Sequence, residues 1–178
     1  RRGVKERFGT SHSLFFLGCA GDIRPNLARK RVDWLPRGRL NWRFKYPPTP
    51  GDEQMIDEQY RKAVLESSVV TVFPVSDNAF DLATRQLNVG GIAPVGIPQL
   101  CIGDQVTFSF FPFEVSHRYQ LETLGSGMPR KFIVSCAGDT RGYLPHPDQI
   151  RFGGYEVDGS RPCMGLGTRL VVKGSDIW

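Results

Sequence analysis

CAGDTRGYLPHPDQIRFGGYE, residues 136–156, is the stretch on which the fold turns. It follows an apolar run, Phe132-Ile133-Val134, which reads as a buried strand. That strand ends in small and turn-forming residues, Ala137-Gly138-Asp139. Tyr143 and Tyr155 each follow a glycine and lie 12 residues apart. Gly142 and Gly153-Gly154 let the backbone take positive φ or approach another group closely. A loop of this composition at a strand end is a common place for a site. Two tyrosines packed on a sheet with hydroxyls at the rim explain the pattern more simply when the residues are read by themselves.

Working outward, the hairpin is the next clear feature. Leu100-Cys101-Ile102 and residues 105–111 flank Gly103-Asp104. Val106, Phe108 and Phe110 alternate with Thr107 and Ser109, the period of a half-buried strand. That arm delivers Pro112-Phe113-Glu114 to its end. A carboxylate after so apolar a strand is partly desolvated and needs a cation or hydrogen-bond donors. A metal would serve, and so would Arg118 or Arg24. A helix over 115–124 would put Glu114 and His117 on one face.

Upstream, Leu14-Phe15-Phe16-Leu17 reads as a short buried strand that ends in a turn over 18–26. Asp22 in that turn can cap the following residues or orient a ligand. Residues 36–50 show neither helical nor strand period. The clearest helix spans 52–67, with Asp52 as N-cap. Its Met55, Ile56, Gln59, Tyr60, Ala63 and Val64 form one stripe, expected to be core. Residues 69–75 are strand-like but limited by Pro74. Residues 80–89 read as a strand, 92–98 and 157–167 as loops, and 169–173 as a last strand or helix start.

Three pieces taken together resemble the neutral/alkaline (non-lysosomal) ceramidase family and its bacterial relatives. They are Gly18-Cys19-Ala20-Gly21-Asp22-Ile23-Arg24-Pro25-Asn26; Gln99 to Asp104 with Pro112-Phe113-Glu114; and Gly142-Tyr143-Leu144-Pro145 with Gly153-Gly154-Tyr155-Glu156. The resemblance spans residues 14–167. It implies an α/β fold: a mixed β-sheet with flanking helices, as part of a larger catalytic domain. It also implies a zinc-dependent hydrolase of the N-acyl bond of lipid amides. The matching positions make Glu114 and Tyr143 metal ligands. Tyr155 would lie beside the metal and reach the substrate. Asp22 and Arg24 fall in the motif to which the family's catalytic serine belongs. The family's two histidine ligands lie upstream of that motif, and His12, His117 and His146 match neither. The implied chain is the later part of the catalytic domain, inactive alone and completed by the missing N-terminal half or an oligomer partner. Arg24 stands where the family has serine, so hydrolysis through that serine is impossible and ceramide is only one of the amides to weigh. A family member without catalysis is the alternative.

The chain has 178 residues, enough for one domain. Hydrophobic residues make up 40%, a globular composition. As part of a larger domain it should leave apolar surface open. The formal charge of +5 is concentrated in residues 24–45, where Arg and Lys alternate with Trp34, Trp42, Phe44 and Tyr46. That pattern suits anionic lipid or nucleic acid. A basic surface without a specific partner explains it more simply, so nucleic acid is not the expected partner. No apolar run is long enough for a transmembrane helix. The Arg-Arg-Gly-Val-Lys-Glu start is not a signal peptide. Cys19, Cys101, Cys136 and Cys163 show no metal-binding spacing and fit a reducing compartment better than an oxidising one. The family is often secreted or periplasmic, so the compartment stays open.

Overall fold

The computed structural model describes residues 2–9, 14, 16–22, 32–35, 39–42, 50–66, 80–124, 130–166, 170–172 and 176–177. The expected strand over 69–75, together with Arg24 and His12, lies outside them.

The chain divides into two compact units, Arg1–Leu14 with Arg24–Val70, and Phe15–Ile23 with Thr71–Trp178. In the first, helix α1 (Arg2–Phe8) meets helix α2 (Pro50–Glu66). Arg7 of α1 donates to the Val64 carbonyl at 2.7 Å, near the end of α2, where carbonyls lack helical partners. Arg61 bridges Glu58 and Glu6. The stripe expected to be core is only partly so. Ile56 and Val64 are half-buried, whereas Met55 and Tyr60 are exposed. The helix also starts before Asp52, which sits in its first turn rather than at the cap. Between these helices, β1 (Val32–Leu35) and β2 (Arg39–Trp42) pair antiparallel. This hairpin replaces the irregular run expected from residue 36 onward.

The second unit is built on a mixed four-stranded sheet in the order β3-β4-β5-β7. Its strands are β3 (Phe80–Leu87), β4 (Val95–Ile102), β5 (Val106–Phe110) and β7 (Arg130–Val134). β3, β4 and β5 run antiparallel, and the hairpin turns at Gly103-Asp104 as its sequence requires. β4 takes in most of the loop expected over 92–98. Pro98 is tolerated because it lies past the last β4–β5 pair, Gln99↔Ser109. β7 is parallel to β5. Between them the chain passes through β6 (Glu114–Val115) and α3 (His117–Leu124), then returns. The side-chain amide of Gln120 in α3 donates to Lys131 O and accepts from Ile133 N–H, each at 2.8 Å. It thereby satisfies the outer edge of β7, which no strand among the described residues covers.

The core gathers Leu87, Ile97, Phe111, Phe113, Val115, Tyr119, Ile133, Leu144 and Val172. Tyr119 is fully buried, and its hydroxyl lies 3.2 Å from the carbonyls of both Pro145 and Val172. The run 14–17 is not a buried strand. Leu14 is 87% exposed, and Phe16 lies on the open sheet face against the Phe108 and Phe110 rings. Phe80 and Leu82 of the edge strand β3 are also exposed. No helix among the described residues is long and apolar enough to cross a membrane.

Candidate functional site

β5 and β7 are the sheet's one parallel pair among the described residues, so their carboxyl ends lie side by side. Crevices outside such ends are favoured ligand positions. The chain leaving β5 forms β6, and the chain leaving β7 forms β8 (Tyr143–Leu144). These two segments pair parallel with Glu114 opposite Tyr143 and Val115 opposite Leu144. The Glu114 N–H donates to Gly142 O at 2.9 Å, and the Ser116 N–H to Leu144 O at 3.1 Å. Val115 and Leu144 are fully buried, which turns Glu114 and Tyr143 toward the outside of the ladder.

The Tyr143 phenol lies near enough to the Glu114 carboxylate for that carboxylate to hold its proton. The Tyr155 ring stands edge-on to that of Tyr143, with centroids 5.8 Å apart. Tyr155 sits at the start of a π-type turn, Tyr155–Gly159, closed by the Ser160 N–H on Tyr155 O at 2.8 Å. Glu114, Tyr143 and Tyr155 thus come from three separate segments to one place. Burial, the Glu114 hydrogen bond and the charges of Glu114 and Glu156 push the Tyr143 phenol up to about 12. Its proton is therefore held at neutral pH, in surroundings that would favour a cation.

The structure departs from the expected helix at Glu114. Residues 114–115 are strand and α3 starts at His117, so Glu114 and His117 do not share a helical face. His117 turns instead to Asp22, with its Nδ1 2.8 Å from Oδ2. Asp22 also accepts from the Ser116 hydroxyl at 2.7 Å, the His117 backbone N–H at 2.9 Å and Gln149 Nε2 at 2.6 Å. Burial alone would raise the Asp22 carboxyl. The donors of His117, Ser116 and Gln149 outweigh it and hold Asp22 below the usual carboxylate range. With every donor directed at it, Asp22 caps the start of α3 across the fold and clamps the 18–22 turn to Gln149 in α4 (Pro147–Ile150). It positions the backbone that follows Glu114. Gly21 completes this packing: its N–H donates to Val115 O at 2.9 Å, and an added Cβ would lie 2.4 Å from the Glu114 carbonyl oxygen. His146 is likewise occupied. Its Nδ1 accepts from Asp148 N–H at 3.2 Å and its Nε2 lies 2.8 Å from Glu122 Oε1.

Cys136 is half-buried, and its φ of 55° is the only positive one among the described non-glycine residues. Such a conformation is uncommon for a side chain with a Cβ and concentrates at functional positions. Burial pushes its thiol up. The Thr140 hydrogen bond opposes this, and the Glu114 charge adds to it. The apolar-Cys-Ala-Gly pattern carried no signal for that backbone.

A zinc site needs four N, O or S donors. Glu114 and Tyr143 offer two neighbouring oxygens in negatively charged surroundings. Among the described residues no three His, Cys, Asp or Glu side chains converge on a metal position. The residues present fit half of a coordination sphere.

Compared with protein-family models, with curated proteins and with solved structures, the chain finds no match.

Proposed function

We propose that this chain carries part of the active site of a zinc-dependent amide hydrolase of the neutral-ceramidase type, within a larger catalytic domain. The observation that carries the reading is the meeting of Glu114, Tyr143 and Tyr155 beyond the carboxyl ends of the parallel strands. Glu114 and Tyr143 would hold two coordination positions, and two nitrogen donors would come from outside the described residues. Bound zinc supplies Lewis acidity and a water of pKa near about 7. The chain's own residues do the rest. The Tyr143 phenol keeps its proton beside the Glu114 carboxylate, and would give it up to solvent if a cation bound the phenolate oxygen in its place. Tyr155, about half exposed at 49%, can turn its hydroxyl toward the carbonyl oxygen of an amide. A well-placed donor of this kind contributes about 3 kcal/mol to the transition state. Asp22 keeps the ladder in register from behind. Arg24 stands where the family has serine, so a route through a serine at that position is closed to this chain.

Two measurements test the reading. Millimolar zinc should give the ultraviolet difference band of a tyrosinate in the chain itself, and Y143F should abolish it. In a polypeptide that also supplies the two histidines, E114Q and Y143F should each lower kcat/KM for an N-acyl amide by about a hundredfold or more. Turnover that survives both substitutions would overturn it.

A further inference from the structure

We infer that β3 is an interface strand. It pairs antiparallel with β3 of a second copy of this chain, about a two-fold axis through Ala83, and joins the two four-stranded sheets into one. The inference does not depend on the amide-hydrolase reading.

The two edges of the sheet are finished differently. At β7 the Gln120 side chain occupies backbone groups that face outward. At β3 no strand among the described residues covers the outer side, and no side-chain hydrogen bond reaches its backbone. The strand is eight residues long, and every residue from Phe80 to Thr84 is exposed, Leu82 at 80%. It has no proline and no lysine, and its register with β4 runs without a bulge. Those are devices that keep an edge from pairing. Apolar side chains also run to this edge. Leu82, Leu100, Phe108 and Phe132 stand opposite one another in turn across all four strands, and the Phe108 and Phe132 rings stack at 5.5 Å. The row ends in solvent at Leu82.

Symmetry restricts how two copies can meet. A two-fold axis normal to the sheet keeps each face on its own side, so one residue lies opposite its own copy. With Asp81 or Arg85 on the axis, like charges meet. Asp81 and Arg85 flank Ala83 at equal spacing, so only an axis through Ala83 sets Asp81 opposite the partner's Arg85, and Arg85 opposite the partner's Asp81. On the other face Leu82 then falls opposite the partner's Thr84, with the partner's Leu82 on the diagonal, which continues the apolar row. The Asp81 carboxylate meets no cation among the described residues. Arg85 uses one guanidinium nitrogen on Asp176 O and keeps further donors. β4 separates the joint from β5 and β7, so the Glu114–Tyr143 ladders stay outside it.

Sedimentation velocity of the whole chain across micromolar concentrations tests this. The chain should pass from monomer to dimer by mass action. D81R and R85D each set two like-charged pairs across the axis, and each should raise the dimer Kd by about tenfold or more. Mixed in equal amounts, the two variants should associate with wild-type affinity, because both opposite-charge pairs are restored between them. D81R changes an exposed side chain and keeps the Arg85 contact with Asp176, so it reads association apart from folding. A chain that stays monomeric, a dimer that D81R leaves intact, or variants that fail to associate when mixed would overturn the inference. A polypeptide that also supplies the two histidines should dimerise in the same way. A monomer there would assign the β3 edge to the added part and overturn it as well.

Discussion

Two carboxylates lie close to one short ladder and do opposite things. Asp22 receives hydrogen bonds from a hydroxyl, an imidazole, an amide side chain and a backbone N–H. Glu114, whose backbone is packed against the same 18–22 turn, faces a phenol and another carboxylate. The first arrangement leaves a carboxylate little capacity for a ligand. The second sets a carboxylate beside a phenol whose proton it helps to hold. A saturated carboxylate builds the site, and an unsaturated one is available to act in it.

The sharpest way to break the contrast is G21A. Its methyl would meet the Glu114 carbonyl at a distance that forces backbone to move, so it should cost about 3 kcal/mol and disturb Glu114 as well. D22N comes next. It turns an acceptor into a partial donor facing three side-chain donors, and should cost about 2–3 kcal/mol in urea unfolding. E114Q should cost under about 1 kcal/mol, since its carboxylate organises no comparable set of donors. If D22N and E114Q prove equally costly, the division of labour is wrong.

Acid titration sharpens the same point. The Asp22 carboxyl is lowered in the folded state, so its stabilisation is fully present above its unfolded value of about 4. It is lost as the pH falls through the lower folded value. D22N should flatten this acid limb of the stability curve, which E114Q should leave in place. The smallest expected effect is spectroscopic. Tyr143 should titrate near 12, and E114Q should move it back toward the ordinary tyrosine value of about 10.

Much of the second unit was legible from its residues. The Gly103-Asp104 hairpin and the 132–134 strand end announced themselves through alternation and turn chemistry. The mixed sheet with flanking helices was expected from the family resemblance, and the structure has one. The meeting of Glu114 with Tyr143, residues 29 positions apart, was expected from the family resemblance alone, because no local pattern encodes such a contact. The sequence suggested instead a helical Glu114–His117 face, which the two-residue strand β6 removes. The role of Asp22 was hidden for a similar reason. Capping was the right chemistry, but the capped helix lies 95 residues downstream rather than next in the chain. In the first unit, the α2 stripe showed the correct period but not its partner. A short α1 covers only part of it, so Tyr60 stays 67% exposed.

The direction of β5 has a practical corollary. The strand starts at the Gly103-Asp104 hairpin and runs five residues toward Glu114, so the hairpin tip stands about 17 Å away at the opposite end of the sheet. Asp104 is exposed there. A dye, an affinity handle or a surface tether fixed at that tip would leave the Glu114–Tyr143 ladder uncovered, which makes it the natural place from which to hold the molecule while ligands are offered to its other end.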